Sequence, residues 1–436
     1  MKPTPVAAIT ALPVFFRVLP VGRNAVPGPW QWIASVRRVL MFMRTIFATT
    51  LALASMCSIN VQAAVVGVGT SSAVNLYNGN PAQPKAPPLL PTGSGYFPVT
   101  GTNEKTPFLI NNAELIGLPA GTSVDFSSSE SVLTAIELNQ YKSSFGATYG
   151  NLIQIPIAGT AVAIAYKKSG VSTLQLSGNQ LCDIFSGTVS TWGQILGTSD
   201  TMPIKVIYRD GSSGSTELLS RFLNDSCANR FSVSSTFTTA NMGAEPTYWK
   251  AVKSSADVLA AVKESDGAIG YGNADLFTLP PNNATVARVS KLNMAQGAAP
   301  LPTVSAIRAG LGWASPLGSS ADRMNPLKWV RTFGASSFDT PVPTGGGQYP
   351  IVGYINMLVG QCPSAADASV IRKLLADVYT GVSTPSIILN GFVPMPGTAA
   401  TPTQLAGEIK KVFLDDAYGD GLDIGNVNAC NGRGRP

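Results

Sequence analysis

Alternating and periodic apolar positions along the chain predict a succession of strands and helices. Continuous apolar runs predict buried strands, and amphipathic spacing predicts helices. The predicted strands are Ile153–Tyr166, Ile204–Tyr208, Ala268–Tyr271 and Tyr349–Leu358. The predicted helices are Ser131–Tyr141, the part of Leu174–Phe185 after Ser177, Ser215–Leu223, Ser254–Val262, Ala366–Tyr379 and Gln404–Phe413. Strands followed by helices indicate an α/β protein with largely parallel sheets, and 436 residues are enough for two such domains.

Two segments lack this patterning. Residues 64–100 are rich in Gly, Asn, Pro and Ser and predict irregular backbone, and residues 292–347 combine many Gly, Pro, Ser and Ala residues with little periodicity. Outside the first 63 residues, no stretch is long and apolar enough to predict a membrane span.

The first 63 residues have the form of a leader. Within about residues 43–63, Arg44 precedes the apolar run Thr45–Met56, and Val61-Gln62-Ala63 offers small side chains before a cleavage point at Ala64. This order of basic, apolar and small residues is typical of a secretory signal peptide. Cys57 raises the alternative of a lipoprotein anchor, which the Met before it disfavours.

The net positive charge of the chain comes from the predicted leader. The chain has 30 Lys and Arg, 24 Asp and Glu, and a formal net charge of +6. Six of the basic residues and none of the acidic ones lie in residues 1–63, so the mature chain from Ala64 is formally neutral. Translation that starts at Met41 or Met43 would yield the same mature chain. A neutral chain without a basic stripe is not expected to bind nucleic acid.

The sequence contains no histidine. That absence excludes His-based acid–base catalysis, a Ser-His-Asp triad and His-rich metal sites. We therefore expect no catalytic residue, no metal and no cofactor.

Four cysteines remain after removal of the leader, namely Cys182, Cys227, Cys362 and Cys430. An even number in an exported protein predicts two disulfides. Four cysteines allow three pairings, of which the sequential one closes the shorter loops, and buried free thiols are the alternative.

The segment Ile204–Leu223 carries the candidate chemistry. A buried strand leads into Arg209, a loop with Ser213, Gly214 and Ser215 follows, and a helix begins there. Free backbone N–H groups at a helix start, close-approach glycines and an Arg fork describe an anion cradle. The alternative is an ordinary serine N-cap, with Arg209 in a salt bridge to Asp210 or Glu217. The loop matches neither GxSxG nor a P-loop.

At this segment the sequence resembles the phosphate-binding proteins of ABC phosphate importers, and most closely their DING branch. Leu174–Trp192, Val124–Tyr141, Tyr349–Cys362 and the tail Ile424–Pro436 are similar to further parts of that family. The DING tetrad itself is absent, because Ala64-Val65-Val66-Gly67 stands at that position.

The resemblance implies a two-lobed periplasmic-binding-protein fold of type II, the Venus-flytrap arrangement. Residues 64–157 and 349–436 would form lobe 1, and residues 158–348 would form lobe 2. The implied function is capture of inorganic phosphate or a related oxyanion between the lobes. An ABC transporter is the expected membrane partner, and we expect a monomer that is periplasmic or secreted.

The family's ligand positions can be carried over one by one. They fall on Ser71, Ser72, Ser94, Glu130, Arg209, Ser213, Gly214 and Ser215. The family has Thr-Leu where this chain has Ser71 and Ser72, and Asp where it has Glu130. Because of these changes, the sequence does not decide whether the ligand is phosphate or another oxyanion. They also motivate an alternative, an extracellular binding or adhesion protein with weakened anion binding; a secreted phosphatase is a further alternative.

Overall fold

The structure is a computed structural model that describes residues 64–99, 103–311, 318–337, 339–396 and 404–435. The predicted signal peptide and Cys57 lie outside these residues. The described residues, from Ala64 onward, belong to one compact unit. Across the described ranges, no helix combines the length and apolarity that crossing a bilayer requires.

The strands are named in chain order. They are β1 (Val66–Gly69), β2 (Gly95–Pro98), β3 (Phe126–Ser129), β4 (Leu152–Lys167), β5 (Gln175–Ser177), β6 (Lys205–Arg209), β7 (Lys250–Val252), β8 (Ala268–Asn273), β9 (Arg288–Ser290), β10 (Val352–Gly360) and β11 (Val393–Pro394).

Helices cover the strands and connect them. The α-helices are Val74–Asn78, Thr106–Leu109, Ala135–Ser144, Gly146–Tyr149, Gly178–Phe185, Trp192–Leu196, Gly214–Cys227, Phe237–Ala240, Ser255–Glu264, Ala274–Thr278, Val304–Leu311, Ser320–Arg323, Ala365–Thr380, Thr384–Leu389 and Leu405–Phe413. Short 3₁₀ helices are Ser71–Ala73, Ala113–Ile116 and Pro326–Lys328. Every predicted strand and helix is present, with ends shifted by a few residues.

The main sheet has the order β2-β1-β3-β10-β4-β8-β6-β7, with β11 added to β4, while β5 and β9 form a separate pair. Strands β1, β2 and β3 are mutually parallel, as are β6, β7 and β8. Strand β10 runs antiparallel to both β3 and β4, and β4 runs antiparallel to β8. The expected α/β class is confirmed, but the sheet is mixed because two antiparallel strands join its parallel halves.

Strand β4 joins these halves. Its residues 152–161 pair with β10 and its residues 162–167 pair with β8. Fifteen of its sixteen residues are buried, which fits its nearly continuous apolar sequence. Pro156 has no N–H to donate, and the β4–β10 register shifts opposite it, between Ile355 and Asn356. A proline inside a predicted strand is thus accommodated at an irregularity in the ladder.

The short strands β1 and β2 were not predicted from the sequence. Residues 64–100 read as irregular because β1 and β2 have only four residues each and contain glycine or proline. Gly67 in β1 is required by packing, since a Cβ there would lie 2.1 Å from the ring of Phe126.

Two disulfides are present, Cys182–Cys227 and Cys362–Cys430. The sequential pairing is confirmed. The first disulfide joins the helix Gly178–Phe185 to the last residue of the helix Gly214–Cys227. The second joins the turn after β10 to the C-terminal tail.

Replacing Cys182 and Cys227 together by alanine is expected to lower the free energy of unfolding by about 4 kcal/mol. The disulfide closes a separation of 45 residues, so its loss enlarges the conformational freedom of the unfolded chain. Urea unfolding of the chain from Ala64 measures the change. The Cys362→Ala/Cys430→Ala pair serves for comparison and should lose a similar amount; a loss under about 1 kcal/mol for both pairs would contradict the loop-closure argument.

Candidate functional site

The carboxyl ends of two sets of strands face the middle of β4. Strands β1 and β3 run in the direction of β4, whereas β6 and β8 run against it. Polar residues stand where these strands end or just beyond, namely Thr70, Ser71, Ser72, Glu130, Arg209 and Asn273. Ligands of open α/β sheets bind outside the carboxyl ends of strands, so this is where a site is expected.

Glu130 lies at the centre of this group and is only 3% exposed. Its Oε1 accepts hydrogen bonds from the Ser72 hydroxyl at 2.9 Å and from the Asn273 amide at 2.8 Å. Its Oε2 is buried and has no partner among the described residues. A buried carboxylate oxygen without a donor is costly, so this atom is an open acceptor.

Arg209 is the last residue of β6 and is buried, with 7% of its surface exposed. Its terminal NH1 reaches the Ser255 hydroxyl at 3.5 Å, a long contact, and its Nε has no partner among the described residues. Its backbone N–H donates to the Tyr271 hydroxyl at 3.3 Å. The guanidinium therefore keeps donor capacity for an anion.

The loop after Arg209 leads into a helix that begins at Gly214. Gly211 adopts a φ of +80°, which favours glycine, and turns the chain toward that helix. The Ser213 N–H donates to the Ser235 carbonyl at 2.8 Å, and the Ser213 and Ser215 hydroxyls lie 2.8 Å apart. The first turn of the helix Gly214–Cys227 thus presents its N–H groups and positive end to the buried site.

The structure disfavours the alternative interpretation of this segment, a serine N-cap with Arg209 in a salt bridge to Asp210 or Glu217. Ser213 is the N-cap residue, yet its side chain makes no capping hydrogen bond. The two acids proposed as partners of Arg209 are engaged elsewhere, Asp210 with Lys253 and Glu217 with Arg221. Neither acid therefore neutralises the arginine.

Glu104, which sequence reasoning missed, belongs to the same group. It is 6% exposed, its Oε2 accepts from the Ser129 hydroxyl at 2.6 Å, and its Oε1 accepts from the Gly214 N–H at 3.3 Å. Its position shortly after β2 is the signal that could have found it, because β2 ends at the same edge as β1. With β2 unpredicted, that signal was hidden.

Acidic side chains outnumber the one arginine here. Burial raises the pKa of Glu104, and the nearby Glu130 raises it further, against opposing contributions from Ser129, the Gly214 N–H and Arg209. Burial likewise raises the pKa of Glu130. Burial and the Glu130 charge raise the pKa of Asp275, which follows β8, to about 8. No group of three or more metal-ligating side chains occurs within the described ranges.

The two remaining predicted ligand residues, Ser71 and Ser94, lie in different places. Ser71 begins the 3₁₀ turn that also holds Ser72 and lies beside the group. Ser94 precedes β2, and its hydroxyl accepts from the N–H of Val65 at 3.0 Å, before β1 begins. It lies at the opposite end of these strands, so the structure does not bring Ser94 to the other predicted residues.

Comparisons with known proteins agree on one family. A family model described as "PBP superfamily domain" matches residues 60–376. The chain is 39% identical to a Pseudomonas aeruginosa protein named "Alkaline phosphatase L", over 91% of this chain and all of that protein. It is 34% identical to a "Phosphate-binding protein" of an unknown prokaryotic organism, over 79% of this chain and 94% of that one.

A solved structure is also similar over most of the chain. It is the structure of a high-affinity periplasmic phosphate-binding protein, PfluDING, bound with phosphate at pH 8.5. The TM-score is 0.73 at 34% identity, covering 86% of this chain and 99% of that one.

The raised pKa of Asp275 predicts a pH dependence of stability. Below about pH 4 the carboxyl is protonated in folded and unfolded chains alike. Between that value and about pH 8 only the unfolded chain ionises, so the free energy of unfolding falls as pH rises. Asp275→Asn removes this loss and should gain stability relative to the unmodified chain from pH 5 to pH 8.

Urea unfolding over that pH range measures the difference. Glu264→Gln, which removes an exposed carboxylate at the end of the helix Ser255–Glu264, is the matched control. A difference between Asp275→Asn and the unmodified chain that stays constant with pH would refute the assignment.

Proposed function

The chain belongs to the PBP superfamily, as its resemblance to the DING phosphate-binding proteins indicated, and from that premise we propose that it captures inorganic phosphate at the group around Arg209 and Glu130. The observation that carries the proposal is the meeting, in a buried site, of open donors with the open Oε2 of Glu130. Among the described residues, neither the Nε of Arg209 nor the Oε2 of Glu130 has a hydrogen-bond partner. A hydrogen phosphate ion offers both oxygens and a proton.

The donors would bind the ligand's oxygens. Arg209 supplies charge-assisted hydrogen bonds, the helix that begins at Gly214 supplies backbone N–H groups and the positive end of its dipole, and Ser213 and Ser215 supply hydroxyls. Such a set needs no basic patch, in keeping with a mature chain that is formally neutral. Ser71 and Ser72 would line the same site from the turn after β1.

The acceptor would select the ligand. A phosphate that retains a proton can donate it to Oε2 of Glu130, which satisfies the buried oxygen. Sulfate has no such proton at neutral pH and would leave that oxygen unpaired, at a cost of about 1–3 kcal/mol. Phosphate is therefore the preferred oxyanion in this proposal.

Opening and closing would occur about β4 and β10. We propose lobe 1 as residues 64–157 with 349–436, and lobe 2 as residues 158–348. The change of partner along β4, from β10 to β8, supports a boundary in that strand. Glu130 would then belong to lobe 1 and its partner Asn273 to lobe 2, so their hydrogen bond would hold the closed form.

An exported location fits this role. Two disulfides form and persist in oxidising compartments, which supports a periplasmic or secreted protein. Delivery of phosphate to an ABC transporter is the corresponding partner proposal, and the protein would act as a monomer.

A hydrolytic function is the second candidate because of the name of the 39% identical relative. We propose binding without turnover. The chain has no histidine, and the buried hydroxyls of Ser213 and Ser215 bond to each other, with no base as partner in the described contacts.

Arg209→Ala is expected to weaken phosphate binding at least about 30-fold, because the loss of a buried charge-assisted donor costs about 2 kcal/mol or more. Calorimetry measures the phosphate affinity of the chain from Ala64 after unfolding and refolding have removed any carried-over anion. Arg230→Ala is the control, since Arg230 pairs with Asp183 outside the site. No phosphate binding by the unmodified protein would overturn the proposed function.

We expect the purified protein to have no phosphatase activity that depends on Arg209. Any release of phosphate from p-nitrophenyl phosphate should be the same with and without this residue. A colorimetric assay of the unmodified chain beside Arg209→Ala separates a contaminating phosphatase, which both preparations would share, from intrinsic activity. Turnover lost only in Arg209→Ala would establish the hydrolytic function instead.

A further inference from the structure

Glu104 takes hydrogen-bond donors that belong to the phosphate site. The Gly214 N–H, at the start of a 14-residue helix, points to Oε1 of Glu104 at 3.3 Å, and the Ser129 hydroxyl donates to its Oε2 at 2.6 Å. Gly214 is also in close contact with Glu130, since a Cβ added to it would lie 2.3 Å from Oε2 of that side chain. Two carboxylates thus converge on one helix start.

The surroundings do not neutralise Glu104. The charged or titratable groups that face it are Glu130 beyond β3, Arg209 at the end of β6 and the buried Tyr96 hydroxyl of β2. Asp275, beyond β8, acts on Glu130 and adds a further acid. The neighbouring Lys105 is directed elsewhere, with its Nζ bonded to Glu137 and to the Val132 carbonyl.

We propose that Glu104 is a specificity-determining residue of the phosphate site, a second carboxylate beside Glu130 that requires the bound oxyanion to share one more proton. This inference rests on the proposed function. A single arginine and one helix end cannot balance a phosphate dianion together with two ionised carboxylates, so the complex holds a proton between Glu104 and a ligand oxygen.

The proton balance follows directly. When Glu104 is ionised in the empty protein, binding of hydrogen phosphate takes one proton from solvent, and that proton resides on the ligand or on Glu104 within their hydrogen bond. Burial already raises the pKa of Glu104, and the negative charge of a bound phosphate would raise that pKa further. The affinity of the unmodified protein therefore falls with rising pH, by up to roughly tenfold per pH unit for one linked proton.

Glu104→Gln tests the inference because it keeps the shape and an acceptor for the Gly214 N–H but cannot ionise. Calorimetry at pH 7 and pH 9, each in two buffers of different ionisation enthalpy, gives both the affinity and the number of protons taken up. Between these pH values the unmodified protein should lose at least about tenfold more affinity than Glu104→Gln. At pH 9 the unmodified protein should also take up about one more proton than the variant.

Glu104→Ala provides a second variant, and Glu114→Gln, which changes an exposed acid, is the matched control. Thermal unfolding verifies that each variant is folded. Equal proton uptake by the unmodified protein and both Glu104 variants, all binding phosphate, would overturn this inference alone. An absence of phosphate binding in every folded protein would overturn the proposed function and this inference with it.

Discussion

Strand β4 sets the geometry on which the other parts depend. Because its residues 152–161 pair with β10 and its residues 162–167 pair with β8, one continuous strand orients both parallel halves of the sheet. The halves run in opposite directions relative to β4, so their carboxyl ends converge at its middle. Burial of fifteen of its sixteen residues fixes this strand in the core. The site is a consequence of that arrangement, and no single loop creates it.

Convergence of strand ends also concentrates charge. Arg209 arrives from one half, Glu104 and Glu130 from the other, and Asp275 follows β8. All four are buried, so their interactions are weakly screened and each charge must be balanced locally. Burial raises the pKa of all three carboxyls, and the guanidinium of Arg209, which acts on Glu104 and Glu130, does not offset that rise. Protons are thereby part of the site's charge balance.

Contiguous features were predictable from the sequence, and features that depend on strand direction were not. Arg209 and Ser213 lie in one strand–loop–helix segment, so local pattern sufficed to identify them. Ser94 was matched through the local motif Gly93-Ser94-Gly95, and only the pairing of β2 with β1 reveals that it lies at the end of these strands opposite to Arg209 and Glu130. Glu104 was not predicted, because its place at the site follows from β2, and a four-residue strand that contains Gly and Pro is not recognisable from the sequence pattern. Asn273 was likewise hidden, since its partner Glu130 is 143 residues away.

The two oxygens of Glu130 divide the tasks of structure and binding. Oε1 accepts from Ser72 and Asn273, which joins the turn after β1 to the end of β8. Oε2 stays open beside Gly214. A ligand proton can therefore bond to Oε2 while both bonds to Oε1 persist, so binding need not break the contacts that bring the two halves of the sheet together. An aspartate would hold its oxygens one methylene further from Gly214, whereas Glu130 reaches the helix start itself. The longer side chain and Glu104 thus act at the same helix start, and together they make the bound anion's protonation state the property that this site senses.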